Sequence, residues 1–154
     1  MQAYRSSLFR NSRPAAELHE QLARATSALA QALRYDSLVA RADKELIILR
    51  AAQLAHGNYQ FEQHRPMAMS CGISAAQIDG LSEWRNNNLF SDRQCVVLAF
   101  ADGRASAAGV DDATFDAMKK YFSSQEIVEL TMNAAYYTSL ADQPHAAHID
   151  GAKP

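Results

Sequence analysis

The amino-acid sequence predicts an all-α, compact multi-helix domain that spans residues 1–154. Apolar side chains recur at steps of three and four residues along several segments, which is the spacing of one helix face. Three segments open with Ser-x-x-Gln or Ser-x-x-Glu, the capping box that begins many helices. No stretch alternates apolar and polar residues for long enough to indicate a strand. These observations favour one helical domain that follows a loose lead-in over residues 1–13.

The first two predicted helices lie before Gly57. One runs from Ala15 to Leu33 behind Pro14, which suits a first helical turn. The other opens with Asp43-Lys44-Glu45, because early acids suit the positive end of the helix dipole. Residues 46–55 are apolar on nearly all sides, which predicts a central, covered helix. Gly57 is expected to end it with a positive φ.

The remaining helices follow in quick succession. Asn58 is expected to cap a helix over residues 59–71, with Gly72 as its stop and Pro66 bending it from inside. Capping boxes at Ser74, Ser91 and Ser123 are predicted to open three further helices, which run to about residue 81, over 92–105 and over 125–141. Between the last two, Asp111-Asp112 is predicted to begin a helix that runs through Phe122.

Composition limits the classes of function. The 48% hydrophobic fraction can fill a core, and the net charge of −2 gives no strong field for nucleic acid or an anionic membrane. Arg50 interrupts the most apolar stretch, so no segment reaches the length of a membrane span. Residues 1–13 have no apolar signal core. We therefore expect a cytoplasmic protein without a nucleic-acid or membrane partner.

The strongest chemical pattern joins Glu45 to His64 across one predicted turn. An imidazole exchanges protons near neutral pH, and a nearby carboxylate would fix its tautomer. Gln60 lies four residues before His64 and shares its helix face. His56 points to the same side of its helix as Glu45 but about 16 Å along it, where it could line a cavity or favour the helix dipole. Tyr137 could close a pocket, although a core position is the ordinary role of such a tyrosine.

Two other patterns carry less weight. His145 and His148 have a spacing that can bind metal, but their terminal position favours a surface tail. Cys71 and Cys95 form no Cys-x-x-Cys pair and are expected to be reduced, small buried side chains. We predict neither a metal site nor a cofactor.

Three motifs in order carry a family resemblance: Lys44-Glu45-Leu46-Ile47-Ile48-Leu49-Arg50, Gly57-x-Tyr59-x-Phe61-x-x-His64, and Gly72-Ile73-Ser74 with Ile78. They resemble the carboxymuconolactone decarboxylase and alkyl hydroperoxidase D-like superfamily. The resemblance implies an all-helical fold that assembles as trimers or hexamers. It also implies a proton relay built on Glu45 and His64.

The thiol peroxidases of that superfamily carry Cys-x-x-Cys-x-x-x-His. Counted back from His64, the two cysteine positions fall on Gly57 and Gln60, so both thiols are missing. Without a thiolate there is no nucleophile for peroxide. The resemblance therefore implies the chemistry of the decarboxylase branch, which uses no dithiol: non-redox proton transfer on a small carboxylated or lactone substrate. Two alternatives remain: a peroxidase that uses Cys71 or Cys95 alone, and a non-catalytic oligomeric ligand-binding protein.

Overall fold

A computed structural model describes residues 20–141 of the 154-residue chain. Within that range it contains helices and no strand, so the all-α prediction is confirmed. The helices are α1 (Glu20–Tyr35), α2 (Arg41–Leu54), α3 (Asn58–Ser70), α4 (Ala75–Asp79), α5 (Asp92–Ala105), α6 (Asp112–Met118) and α7 (Ser124–Ala141), with a 3₁₀ turn at Leu81–Glu83. None of the helices in this range combines the length and apolar character that crossing a bilayer needs.

Helix α1 belongs to one compact unit, and residues 38–141 form another. Of the first unit the structure describes α1, which extends two residues beyond its predicted end at Leu33. The lead-in over residues 1–13, Pro14 and the predicted helix start lie outside the described residues.

Helix α2 is the centre of the second unit. Every residue from Asp43 to Leu49 is buried, which confirms the prediction of a helix covered on most sides. It packs against α3, α5 and α7.

The start of α2 differs from the prediction. It begins at Arg41 rather than Asp43, and Ala40 at the N-cap supplies no side-chain hydrogen bond. Instead, the carboxylate of Glu129 on α7 accepts hydrogen bonds from the backbone N–H groups of Leu38 and Val39. A cap supplied from 90 residues away leaves no local signal in the sequence.

The turn between α2 and α3 is displaced by one residue from the prediction. His56, with a φ of 55°, has the left-handed conformation that we expected for Gly57, whose φ is −81°. Gly57 N–H donates to the carbonyl of Ala52 and His56 N–H to that of Gln53, a Schellman motif with His56 at C′. Gly57 is therefore the N-cap of α3, and Asn58 is its first residue rather than its cap.

The other helix ends follow the sequence more closely. Gly72 ends α3 with a φ of 98°, and Pro66 lies inside that helix. The capping boxes at Ser74 and Ser91 are both present, and Ser123 pairs with Glu126 in the same way.

Two helices are shorter than predicted. Helix α4 ends at Asp79. Helix α6 ends at Met118 rather than at residue 122, because the N–H groups of Lys120 and Tyr121 bond to carbonyls three residues back and tighten the chain into a turn.

Candidate active site

The predicted contact between Glu45 and His64 is present. Nδ1 of His64 lies 2.8 Å from Oε2 of Glu45. The Glu45 side chain is fully buried and that of His64 is 7% exposed. The Schellman turn places α3 back against α2, so an acid on the first turns of α2 meets an imidazole halfway along α3. Because a carboxylate only accepts, Nδ1 carries the proton of the neutral ring and Nε2 keeps a free lone pair.

Arg41 holds the other oxygen of the same carboxylate. Its Nη2 forms an ion pair with Oε1 of Glu45, one helical turn away, and lies 3.7 Å from Sδ of Met67 on α3. Oε1 accepts no well-aligned hydrogen bond, so Arg41 acts chiefly by compensating the charge of a buried carboxylate. Sequence reasoning missed Arg41 because the predicted helix began two residues after it. Its position four residues before Glu45 was the available signal.

Tyr137 lies against the imidazole. The ring centroids of His64 and Tyr137 are 5.1 Å apart in an edge-to-face arrangement. Tyr136 packs edge-on against Tyr137 in turn. Helix α7 therefore contributes twice to this region, since Glu129 bonds to the segment before α2 and Tyr137 contacts the ring that is paired with Glu45.

Gln60 lies one turn before His64 on the buried face of α3. The residue is 9% exposed, and neither its amide nitrogen nor its amide oxygen has a hydrogen-bond partner among residues 20–141. A buried amide in this state is uncommon, because each unpaired polar atom loses its bonds to water without replacement.

His56 is not part of this cluster. It is exposed at the end of α2, and no contact joins its side chain to Glu45 or His64 within the described residues. Its role in substrate binding stays a prediction.

Asn133 is a buried polar residue that sequence reasoning did not single out. It is 2% exposed, its Oδ1 has no partner among the described residues, and it precedes Tyr137 by one turn of α7. A lone Asn in an apolar helix, four residues from a tyrosine, was the available signal.

The two cysteines are partly buried, and both are free. Burial raises the pKa of the Cys71 thiol, and the negative charge of Glu45 raises it further. Burial and the charge of Asp92 likewise raise the pKa of Cys95. Both environments therefore disfavour the thiolate.

No group of metal-binding side chains occurs within the part of the chain that the structure describes. His145 and His148 lie outside that part.

Comparison with known proteins identifies the family. The model of the carboxymuconolactone decarboxylase family matches residues 20–103, more than half of the chain. The chain belongs to this family. No curated protein sequence matches it.

Solved structures share the fold. A protein of unknown function from Agrobacterium tumefaciens, with the provisional name of antioxidant defence protein AhpD, superimposes with a TM-score of 0.77 at 22% identity, over 90% of this chain and 94% of that one. The debrominase Bmp8 without ligand gives 0.71 at 18% identity, over 82% and 69%. A cysteine-to-alanine variant of Bmp8 bound to 2,3,4-tribromopyrrole gives 0.74 at 17% identity, over 86% and 72%. These likenesses show the fold alone.

Proposed function

We propose that this protein is a cofactor-free enzyme that moves protons on a small carboxylated substrate, in decarboxylase or lactone-type chemistry. The observation that carries the proposal is the buried pair of Glu45 and His64, joined at 2.8 Å. The pair leaves Nε2 of His64 without a hydrogen-bond partner among residues 20–141. Gln60 and Tyr137 flank the imidazole and are proposed to contact the substrate.

The chemistry follows from the charges around His64. As a base, Nε2 takes a proton from a substrate carbon next to a carbonyl, and Glu45 compensates the imidazolium. As an acid, Nε2–H gives its proton to the carbon from which CO₂ has departed, after the broken C–C bond has left its electron pair on that carbon. His64 then recovers its proton from water. Arg41 offsets the carboxylate charge throughout, since it lies on the second oxygen of Glu45.

Deuterium incorporation tests the proposal even while the product is unidentified. Small carboxylated lactones are incubated with the protein in D₂O, and exchange and CO₂ loss are followed by NMR. We expect His64→Ala to lower the rate by about 100-fold or more, the usual contribution of an acid–base residue. Gln63→Ala, at an exposed neighbour on α3, is the control and should react at the wild-type rate. Equal rates in wild type and His64→Ala would remove the assignment.

A peroxidase that uses one thiol is the second candidate. Cys71 favours it by position, because Glu45 and Arg41 lie close enough for their charges to act on its sulfur. The raised pKa opposes it, since peroxide reacts with the thiolate. A Cys71→Ser, Cys95→Ser double variant separates the two candidates. The acid–base proposal predicts that this variant keeps deuterium exchange. If the wild type reduces peroxide and the double variant does not, the single-thiol peroxidase is supported instead.

The third candidate is a ligand-binding protein without catalysis. It predicts saturable binding of lactone acids with no exchange in D₂O. Full retention of binding in His64→Ala, together with no exchange by the wild type, would favour it.

We also propose a cytoplasmic homo-oligomer, a trimer or hexamer. Val128 and Met132 support an assembly because they lie four residues apart on α7 and are 62% and 44% exposed. Light scattering after size exclusion tests the copy number, and a monomer at micromolar concentration contradicts the proposal.

A further inference from the structure

The unpaired amide of Gln60 is the starting observation. Its Nε2 and Oε1 are both buried and both lack a partner in the described part of the chain. Leaving a donor and an acceptor buried together is costly, because water no longer satisfies either. The cost indicates that a group other than residues 20–141 satisfies them.

The fold does not require a polar side chain at this position. Gln60 lies within α3, so its backbone groups belong to the helix and do not depend on the side chain. Ala68, two turns later on the same buried face, shows that an apolar residue is accommodated there. Gln63, three residues on, is exposed and its amide is open to water. A methionine of similar length at position 60 would pack without unpaired atoms.

The amide limits the chemistry of its partner. One oxygen of a carboxylate could accept from Nε2, but its other oxygen would then face Oε1, and two acceptors repel each other. An ammonium group would satisfy Oε1 and oppose Nε2. A neutral planar group with a donor beside an acceptor satisfies both atoms at once, and carboxamides, lactams and un-ionised carboxyl groups have that pattern.

We propose that Gln60 is the residue that recognises the ligand, by pairing with a neutral carbonyl group that carries an adjacent N–H or O–H. The proposal rests on the proposed function for the location of the site, because Gln60 precedes His64 by one turn on the same buried face. The recognition role adds the class of substrate to the proposed function: the group next to the reacting carbon is a carboxamide, a lactam or a carboxyl group bound as the acid.

Two ring compounds of nearly equal shape test the pairing. 2-Pyrrolidinone offers a carbonyl and an N–H, whereas γ-butyrolactone has a ring oxygen in place of that N–H. Each is titrated into ¹⁵N-labelled protein, and the shift of the Gln60 side-chain amide is followed. We expect the lactam to bind about tenfold more tightly, the value of one buried hydrogen bond.

Gln60→Met should remove the preference, while Gln63→Met should keep it. Equal binding of the two rings by the wild type overturns the proposal even if the Met variant fails to fold. A preference that survives in folded Gln60→Met also overturns it. So does a crystal structure in which an ordered water satisfies the amide and the lactam does not displace it.

The outcome is distinguishable from that of the acid–base proposal. His64→Ala should retain the lactam preference while it loses exchange in D₂O. A preference lost only in Gln60→Met, with exchange intact in His64→Ala, would keep the recognition role and reject the catalytic one. If the lactam preference survives in Gln60→Met while His64→Ala loses exchange, only the recognition role is rejected.

Discussion

Nδ1 of His64 lies 2.8 Å from Oε2 of Glu45, and both side chains are shielded from water. A carboxylate buried to this degree is stable only with charge or hydrogen-bond partners. Here His64 and Arg41 supply one partner for each oxygen. The same contacts that make burial tolerable also fix the imidazole, so stability and the proposed chemistry depend on the same pair.

Replacing Glu45 should destabilise the fold strongly. Glu45→Ala removes the partner of His64 and of Arg41 and leaves a void beside the first turns of α2. The cavity and the unpaired Nδ1–H of His64 together cost about 2–5 kcal/mol. Urea denaturation measures the change. Glu62→Ala, at an exposed position on α3, should stay within about 0.5 kcal/mol of wild type. A loss below about 1 kcal/mol for Glu45→Ala would mean that the pair contributes little.

Replacing Gln60 should do the opposite. Gln60→Met removes two unpaired buried polar atoms at nearly constant volume, so the free energy of unfolding should rise by about 1–2 kcal/mol in the absence of ligand. Thermal unfolding measures the change, and Gln63→Met is the matched exposed control. A destabilised Gln60→Met would indicate that the amide already has a partner in the free protein.

The thiols should weaken the fold at alkaline pH. The pKa of each cysteine in the folded chain is raised above the ordinary 9.0, chiefly by burial. Folding therefore favours the protonated thiols. Their contribution to stability is complete below the pKa of the unfolded chain and is lost as pH rises through the folded value.

The comparison that isolates this effect is the wild type against Cys71→Ser, Cys95→Ser between about pH 8 and pH 10. We expect the wild type to lose more stability over that interval, and its thiols to be alkylated more slowly at neutral pH than those of the unfolded chain. Rapid alkylation of Cys71 at neutral pH would instead show an activated thiol and would favour the peroxidase.

The sequence was sufficient for the helices whose signals are local. Ser74 and Ser91 each carry a capping box, and Gly72 has the positive φ that its position after α3 requires. The partnership of Glu45 and His64 was also predictable. An acid and an imidazole on consecutive helices, across a tight turn, lie on segments that must pack against each other.

The remainder of the site depends on contacts between distant segments. Glu129 caps the start of α2 from α7, so Arg41 fell outside the predicted helix. His56 has the left-handed conformation that a glycine would ordinarily adopt, so the turn was placed one residue late. The packing of Tyr137 against His64 needed the direction of α7 relative to α3, which no local pattern gives.

Direct observation of the His64 tautomer is the sharpest test of the acid–base pair. Two-bond ¹H–¹⁵N correlation spectra of histidine-labelled protein distinguish a protonated Nδ1 from a protonated Nε2. We predict a neutral ring with the proton on Nδ1, hydrogen-bonded to Glu45, and a free Nε2 that changes its shift when a lactone acid binds. A ring protonated on Nε2, or one whose signals do not respond to Glu45→Gln, would contradict the account.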